Sequence, residues 1–133
     1  MNIQPQTFII SAEREELTKE QNLFRTEQLK QMLIKNKIQY TVAQGCYKGQ
    51  TEIAFVCIAY YQEQAETIKL LAFTHFKQES VLYIDSNGEA SLDYATGYTQ
   101  MLGGFRQVTE SQALASDAYS KVDGRYYLAG GVQ

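Results

Sequence analysis

The chain has 133 residues, a mass of 15.1 kDa, 44% hydrophobic residues and a formal charge of −3 with a sequence pI of about 5.2. That bounds a single domain, residues 1–133, with apolar content for one core, and the acidic balance argues against a broad nucleic-acid-binding face. No apolar run reaches the roughly 20 residues of a membrane span, and the opening "MNIQPQTFIISAE" lacks the basic start and cleavage site of a signal peptide, so a cytoplasmic protein is expected.

"TFIISAE" (7–13) reads as a first strand with a polar exit. "LTKEQNLFRTEQLKQMLIKNK" (17–37) reads as a long helix, with Thr18 as N-cap and Gln21 as its capping-box partner. Leu23, Leu29, Met32 and Leu33 form its apolar stripe. Asn22 and Arg25 stand three apart and share a face near its start. "IQYTVAQGCY" (38–47) and "EIAFVCIAYY" (52–61) read as strands of a hairpin, joined by a tight turn in which Gly49 is free to take positive φ. A second helix is expected over 62–77, with Ile68, Leu71, Ala72 and Phe76 inward. "ESVLYIDSNGEASLDYA" (79–95) is a hairpin around Asn87-Gly88. An extended piece broken by glycines (101–108), a short helix within 109–119 and a last hairpin turning at Asp123-Gly124 complete the chain.

The order β-α-β-β-α-β followed by further strands predicts an α+β fold: a ferredoxin-like antiparallel sheet, helices on one face, plus a C-terminal β extension. Two helices cover one face only. The other face, rich in Tyr and Phe, would need a partner, and a homo-oligomer follows as an expectation.

The chemistry on offer is narrow. His75 is the only histidine, so a His-based triad or a His-rich metal site is nearly excluded. Cys46 and Cys57 flank the predicted hairpin and read as reduced thiols. No metal and no cofactor is expected, and no phosphate loop, dinucleotide fingerprint or nucleophile elbow occurs. What remains is a pair of acids. Glu52 opens one apolar strand, and Glu79, preceded by Gln78, opens another. Strand ends are usually wet, so chance is one account; a shared site is the other.

The series "ISAERxxLTxEQNxxRTxxL", "GCYKGxxExxF", "QESVLYID", "ASLDYATGY", "LGGFRQV" and "DAYSKVDGRYY" resembles the phage-encoded S-adenosylmethionine-degrading enzymes, the hydrolase/lyase family, from about residue 7 to residue 128. The resemblance implies a phage counter-defence protein in the cytoplasm of an infected bacterium, active as a homo-oligomer, a trimer with sites between subunits. The implied reaction splits S-adenosylmethionine into methylthioadenosine and homoserine lactone as the substrate's own carboxylate attacks the carbon next to sulfur. It also implies an essential carboxylate, a tyrosine hydroxyl and an amide–carboxylate pair for the nucleoside. Here those are Glu52 facing the sulfonium, Tyr47 or Tyr40 as the hydroxyl, and Gln78 with Glu79 on adenine or ribose; Asn22 and Arg25 are further substrate-binding candidates. Only four residues separate Tyr47 from Glu52, a loop shorter than in the best-known members.

A second reading is a non-catalytic phage sponge that sequesters a nucleotide immune signal of the cyclic ADP-ribose type, as anti-Thoeris proteins do. A pyrophosphate ligand calls for convergent cations, for which Arg14, Arg25, Arg106 and Arg125 are available. A sulfonium calls for acids instead.

Overall fold

Helix α1 (Lys19–Lys35) starts where its cap predicts. The Gln21 amide donates to Thr18 Oγ1 (3.1 Å), and the Thr18 amide donates to Gln21 Oε1 (2.9 Å), so two otherwise orphaned donors are satisfied. Leu29 and Leu33 are fully buried and Met32 is packed beside them, but Leu23 faces solvent and Thr26 takes the inward place instead. The structure, a computed structural model, describes residues 2–130.

The strands are β1 (Asn2–Ile10), β2 (Gln39–Tyr47), β3 (Gln50–Tyr61), β4 (Ser80–Ile84), β5 (Glu89–Tyr94), β6 (Thr99–Val108), β7 (Ala118–Val122) and β8 (Arg125–Ala129). Helix α2 is Gln62–Leu70 and α3 is Glu110–Leu114. Every strand pairs antiparallel on both sides, in the closed order β1-β3-β2-β7-β8-β6-β5-β4. This overturns the expected ferredoxin-like sheet with a C-terminal β extension. The strands after β4 are no appendix: they form half of an eight-stranded barrel, and β1 returns to β4 to close it.

Closure also changes what the two sheet faces do. The outer face of β1, β3 and β4 presents Phe8, Ile10, Phe55, Cys57 and Val81 to Leu29, Leu33, Ile68 and Phe76 of the helical layer. The inner face is a second, smaller core of Ile9, Ala43, Ala54, Ile84 and Ala90, with Val56, Leu102 and Phe105 against it. Small residues inside let the twisted sheet curl tightly enough to meet itself. The uncovered aromatic face, from which an oligomer was expected, is therefore absent. The sheet's second side is the barrel interior, and closure leaves no free edge.

Two local features set up the site. Lys48 and Gly49 both take positive φ (49° and 82°), the mirror-image turn that matches strand twist, so the β2–β3 hairpin has a fixed register. The predicted second helix does not run unbroken to residue 77. After Leu70 it widens into a π-helical turn, Leu71–His75, with the Phe76 amide reaching Leu71 O and the Gln78 amide reaching Ala72 O, both at 2.9 Å. Ile68, Leu71, Ala72 and Phe76 stay buried through the change.

Candidate functional site at the barrel mouth

In β3 the inner core residue is Ala54, so the alternation of a strand turns Glu52 to the same inner face, at the barrel's end. The hairpin register sets Gly45 opposite Glu52, β7 sets Ser120 opposite Gly45, and β8 sets Tyr127 opposite Ser120. Each lies two residues from an inner core position (Ala43, Val122 and Ala129), so all four share the inner face around one mouth. Tyr127 stacks flat on Phe105 of the inner core, centroids 5.3 Å apart, and Ser120 is buried. Gly45 has no side chain to screen the carboxylate, and a Cβ there would stand 3.6 Å from Glu52 Cγ.

The end of β1 completes the mouth. The Ser11 hydroxyl donates to Ile53 O (2.9 Å), the Glu13 amide donates to Ser11 Oγ (3.1 Å), and the Ile53 amide donates to Glu13 Oε2 (2.6 Å). Glu52 is exposed at the rim of the mouth, although the protein around its carboxyl removes part of the water there. This partial burial pushes its carboxyl above the ordinary range. The neighbouring Glu13 carboxylate adds to the rise, and the nearby Ser11 hydroxyl opposes it when its one proton turns from Ile53 O to Glu52. An acid held in that way gains from a cation that enters beside it.

Residues 8–130 match the S-Adenosylmethionine lyase family. The chain belongs to the S-adenosylmethionine lyase family. No curated protein matches it. For a member of this family the ligand class is S-adenosylmethionine, a sulfonium that also carries an ammonium and a carboxylate, and the mouth offers acids to meet the cations.

The other candidate residues of this lyase-family chain fall into two groups. Tyr47 is two residues from Gly45, on Glu52's face and diagonal to it, with its ring exposed and Lys48 Nζ 5.3 Å from the centroid. Tyr40 is on the outer face, its ring edge-on to Phe55 at 5.5 Å in the helical layer. The starts of β3 and β4 lie at the same end of the barrel, on either side of β1. Glu79 is exposed there, and its carbonyl accepts from the Ala95 amide (2.9 Å).

Asn22, Arg25 and Gln78 converge on the end of β1. Asn22 brackets the Arg14 peptide, accepting from its N–H (2.9 Å) and donating to its carbonyl (3.0 Å). Arg25 donates to Ala12 O (2.7 Å) and to Phe76 O, with its guanidinium 5.3 Å from the Phe76 ring centroid. Gln78 Nε2 donates to Glu13 O (3.1 Å) and Phe76 O (3.3 Å). The π-helical turn is what delivers the Phe76 carbonyl to both.

Sequence reasoning missed Ser11, Glu13, Ser120 and Tyr127. Ser11 and Glu13 had a signal: they continue the inward alternation from Ile9 in the strand predicted over 7–13. Ser120 and Tyr127 had only their place in the motif "DAYSKVDGRYY", because it is the long-range β2–β7 pairing that sets them level with Glu52. Cys57 is buried in the outer core, its thiol pushed up to about 12 by burial alone, so it offers no nucleophile. Among the described residues no three His, Cys, Asp or Glu side chains come together as metal ligands.

Proposed function

We propose that the chain cleaves S-adenosylmethionine to methylthioadenosine and homoserine lactone. The observation that carries this is the inward Glu52 at the barrel mouth, beside Glu13, in a chain of the S-adenosylmethionine lyase family. One carboxylate oxygen of the substrate attacks the methionine carbon bonded to sulfur. The carbon–sulfur bond breaks, its electron pair stays on sulfur, and the sulfonium becomes a neutral thioether. No proton moves and no water enters, so no general base is needed.

The work left to the protein is to fold the methionine chain into an attacking geometry. Sulfur loses its charge as the bond breaks, so an acid aimed at sulfur alone would favour the ground state over the transition state. Glu52 accelerates the step by holding the ammonium group as well, which bends the chain and leaves the substrate carboxylate free. Tyr47, on the same face, supplies the hydroxyl, and Glu79 accepts from the ribose hydroxyls. The apolar floor beneath the mouth favours a step in which two opposite charges annihilate.

The products test the reaction. In heavy-oxygen water the lactone is expected before any homoserine, and the earliest product is expected to carry no label. Labelled homoserine with no lactone, followed by mass spectrometry from the first turnover, would instead mean hydrolysis.

We further propose a homo-oligomer, a trimer, acting in the cytoplasm of an infected bacterium to deplete the methyl donor of host restriction–modification. Support for assembly comes from α1, which leaves Leu23, Phe24 and Ile34 at least half exposed (50%, 66% and 50%). Two shallow grooves of about 280 and 440 Å³ run along this helix and share Phe24 and Gln28. Sedimentation at micromolar concentration is expected to show the assembly, and a monomer there would remove it. The sponge reading has less to stand on. Arg14 is engaged with Glu16 and Lys77 O, Arg25 with Ala12 O and Phe76 O, and Arg106 donates to Gly130 O, so these three do not converge on one open site.

A further inference from the structure

Glu52 does not stand on a bare strand end. The next residue, Ile53, has both of its backbone polar groups held by the segment just after β1: its N–H donates to Glu13 Oε2 at 2.6 Å and its carbonyl accepts from Ser11 Oγ at 2.9 Å. The β1 ladder has ended by this point, at Ile10 opposite Phe55. Side chains therefore take over the pairing of β3 where backbone leaves off. Among the described residues Ser11 and Glu13 supply this grip, from the segment that follows β1.

The gripping segment is itself held by partners from distant parts of the chain. Arg25 holds Ala12 O, Gln78 holds Glu13 O, and Asn22 holds both polar groups of the Arg14 backbone. These bonds span 13, 65 and 8 residues, and the Glu13–Ile53 bond spans 40. The arrangement is a tertiary clasp and not a local turn. It orients a carboxylate, and a carboxylate is a strong acceptor for a backbone N–H.

We propose that Glu13 is the positioning residue for Glu52: clasped by Asn22, Arg25 and Gln78, its carboxylate fixes the Glu52–Ile53 peptide so that Glu52 faces the mouth. The proposal rests on the S-adenosylmethionine cleavage proposed above and adds a residue to it. Glu13 also acts through space, because its charge is one of the influences that raise the Glu52 carboxyl, after burial. The remaining groups around Glu52 are few. Ser11, just after β1, pulls the other way, Gly45 across the hairpin brings no charge, and Lys48 at the hairpin turn lies over the Tyr47 ring.

Two substitutions separate the roles. Glu13→Gln keeps an acceptor for the Ile53 N–H and removes the charge; Glu13→Ala removes both. In the full-length protein, the Glu52 carboxyl is followed by carbon NMR, and kcat and KM for S-adenosylmethionine are measured against pH. For Glu13→Gln the expected result is a Glu52 midpoint at lower pH and an acid limb of kcat/KM displaced the same way. For Glu13→Ala, kcat is expected to fall by roughly 10–100-fold with KM little changed, the signature of lost positioning. A Glu52 midpoint that stays put in Glu13→Gln, or a Glu13→Ala enzyme with wild-type kcat, would overturn the proposal. If Glu13→Ala does not fold, the midpoint in Glu13→Gln decides. If the wild type leaves S-adenosylmethionine intact, the cleavage reading alone falls, and the same midpoint still decides whether Glu13 governs Glu52.

Discussion

Glu52→Gln is expected to lower kcat for S-adenosylmethionine cleavage on the order of 10²–10³-fold, the scale of one lost electrostatic contact in a preorganised site, and to raise the melting temperature at pH 7. The two effects have one cause. In the folded chain the Glu52 carboxyl titrates above its ordinary value because burial and Glu13 disfavour its charge. Its folded pKa is thus above its unfolded one, at about 4.3. The folded state then holds more of this proton than the unfolded state, and stability falls as pH rises between the two values. Below the unfolded value the penalty is absent; above the folded value it is complete. Glutamine carries no charge and escapes the penalty, so the variant's advantage is expected at pH 7 and should vanish near pH 3. Thermal melts at the two pH values, alongside steady-state kinetics, check both parts. Wild-type turnover in the variant would reduce Glu52 to a wet strand end. A lower melting temperature at pH 7 would mean that the mouth favours the charged acid and has been read with the wrong sign.

Gly130→Ala is expected to cost about 2–5 kcal/mol of unfolding free energy, combining a left-handed backbone penalty with overpacking. Gly130 closes the β6–β8 seam. Its φ is +88°, its amide donates to Gly104 O at 2.8 Å, and Arg106 donates to its carbonyl at 3.2 Å. A Cβ built there would lie 2.2 Å from Leu102 O and 3.2 Å from Leu102 C. Both are backbone atoms, so nothing flexible can swing aside. Gly103 crosses the same point, where its own Cβ would meet Gly130 Cα at 3.1 Å. Urea unfolding measures the loss, and Gly97→Ala is the control. Gly97 has a similar φ of +95° with nothing within 4 Å, so it reports the conformational penalty alone. Equal losses in the two variants would show that the close approach at the seam carries no weight. Because β8 brings Tyr127 to the mouth, the Gly130 variant should also lose turnover where it remains folded.

The sequence by itself determined the elements whose partners are close along the chain. The Thr18–Gln21 capping box, the Lys48-Gly49 and Asp123-Gly124 turns and the register of the β2–β3 hairpin are settled within a few residues, and so they are legible as short patterns. The ordered motifs were enough to place the chain in its family, and Glu52 could be singled out as an acid opening an apolar strand. Tertiary structure decided the rest. Whether the sheet stays open or closes depends on pairing β1 with β4 and β6 with β8, contacts between strands far apart in sequence that follow from twist and from the small residues Ala43, Ala54 and Ala90 inside. The long-range β2–β7 pairing, followed by β7–β8, set Ser120 and Tyr127 level with Glu52. The π-helical turn sets the Phe76 carbonyl where both Arg25 and Gln78 donate to it, so both side chains also brace the segment after β1. A side chain's type announces which bonds it can make; which partner it meets 40 or 65 residues away is fixed only when the barrel is closed.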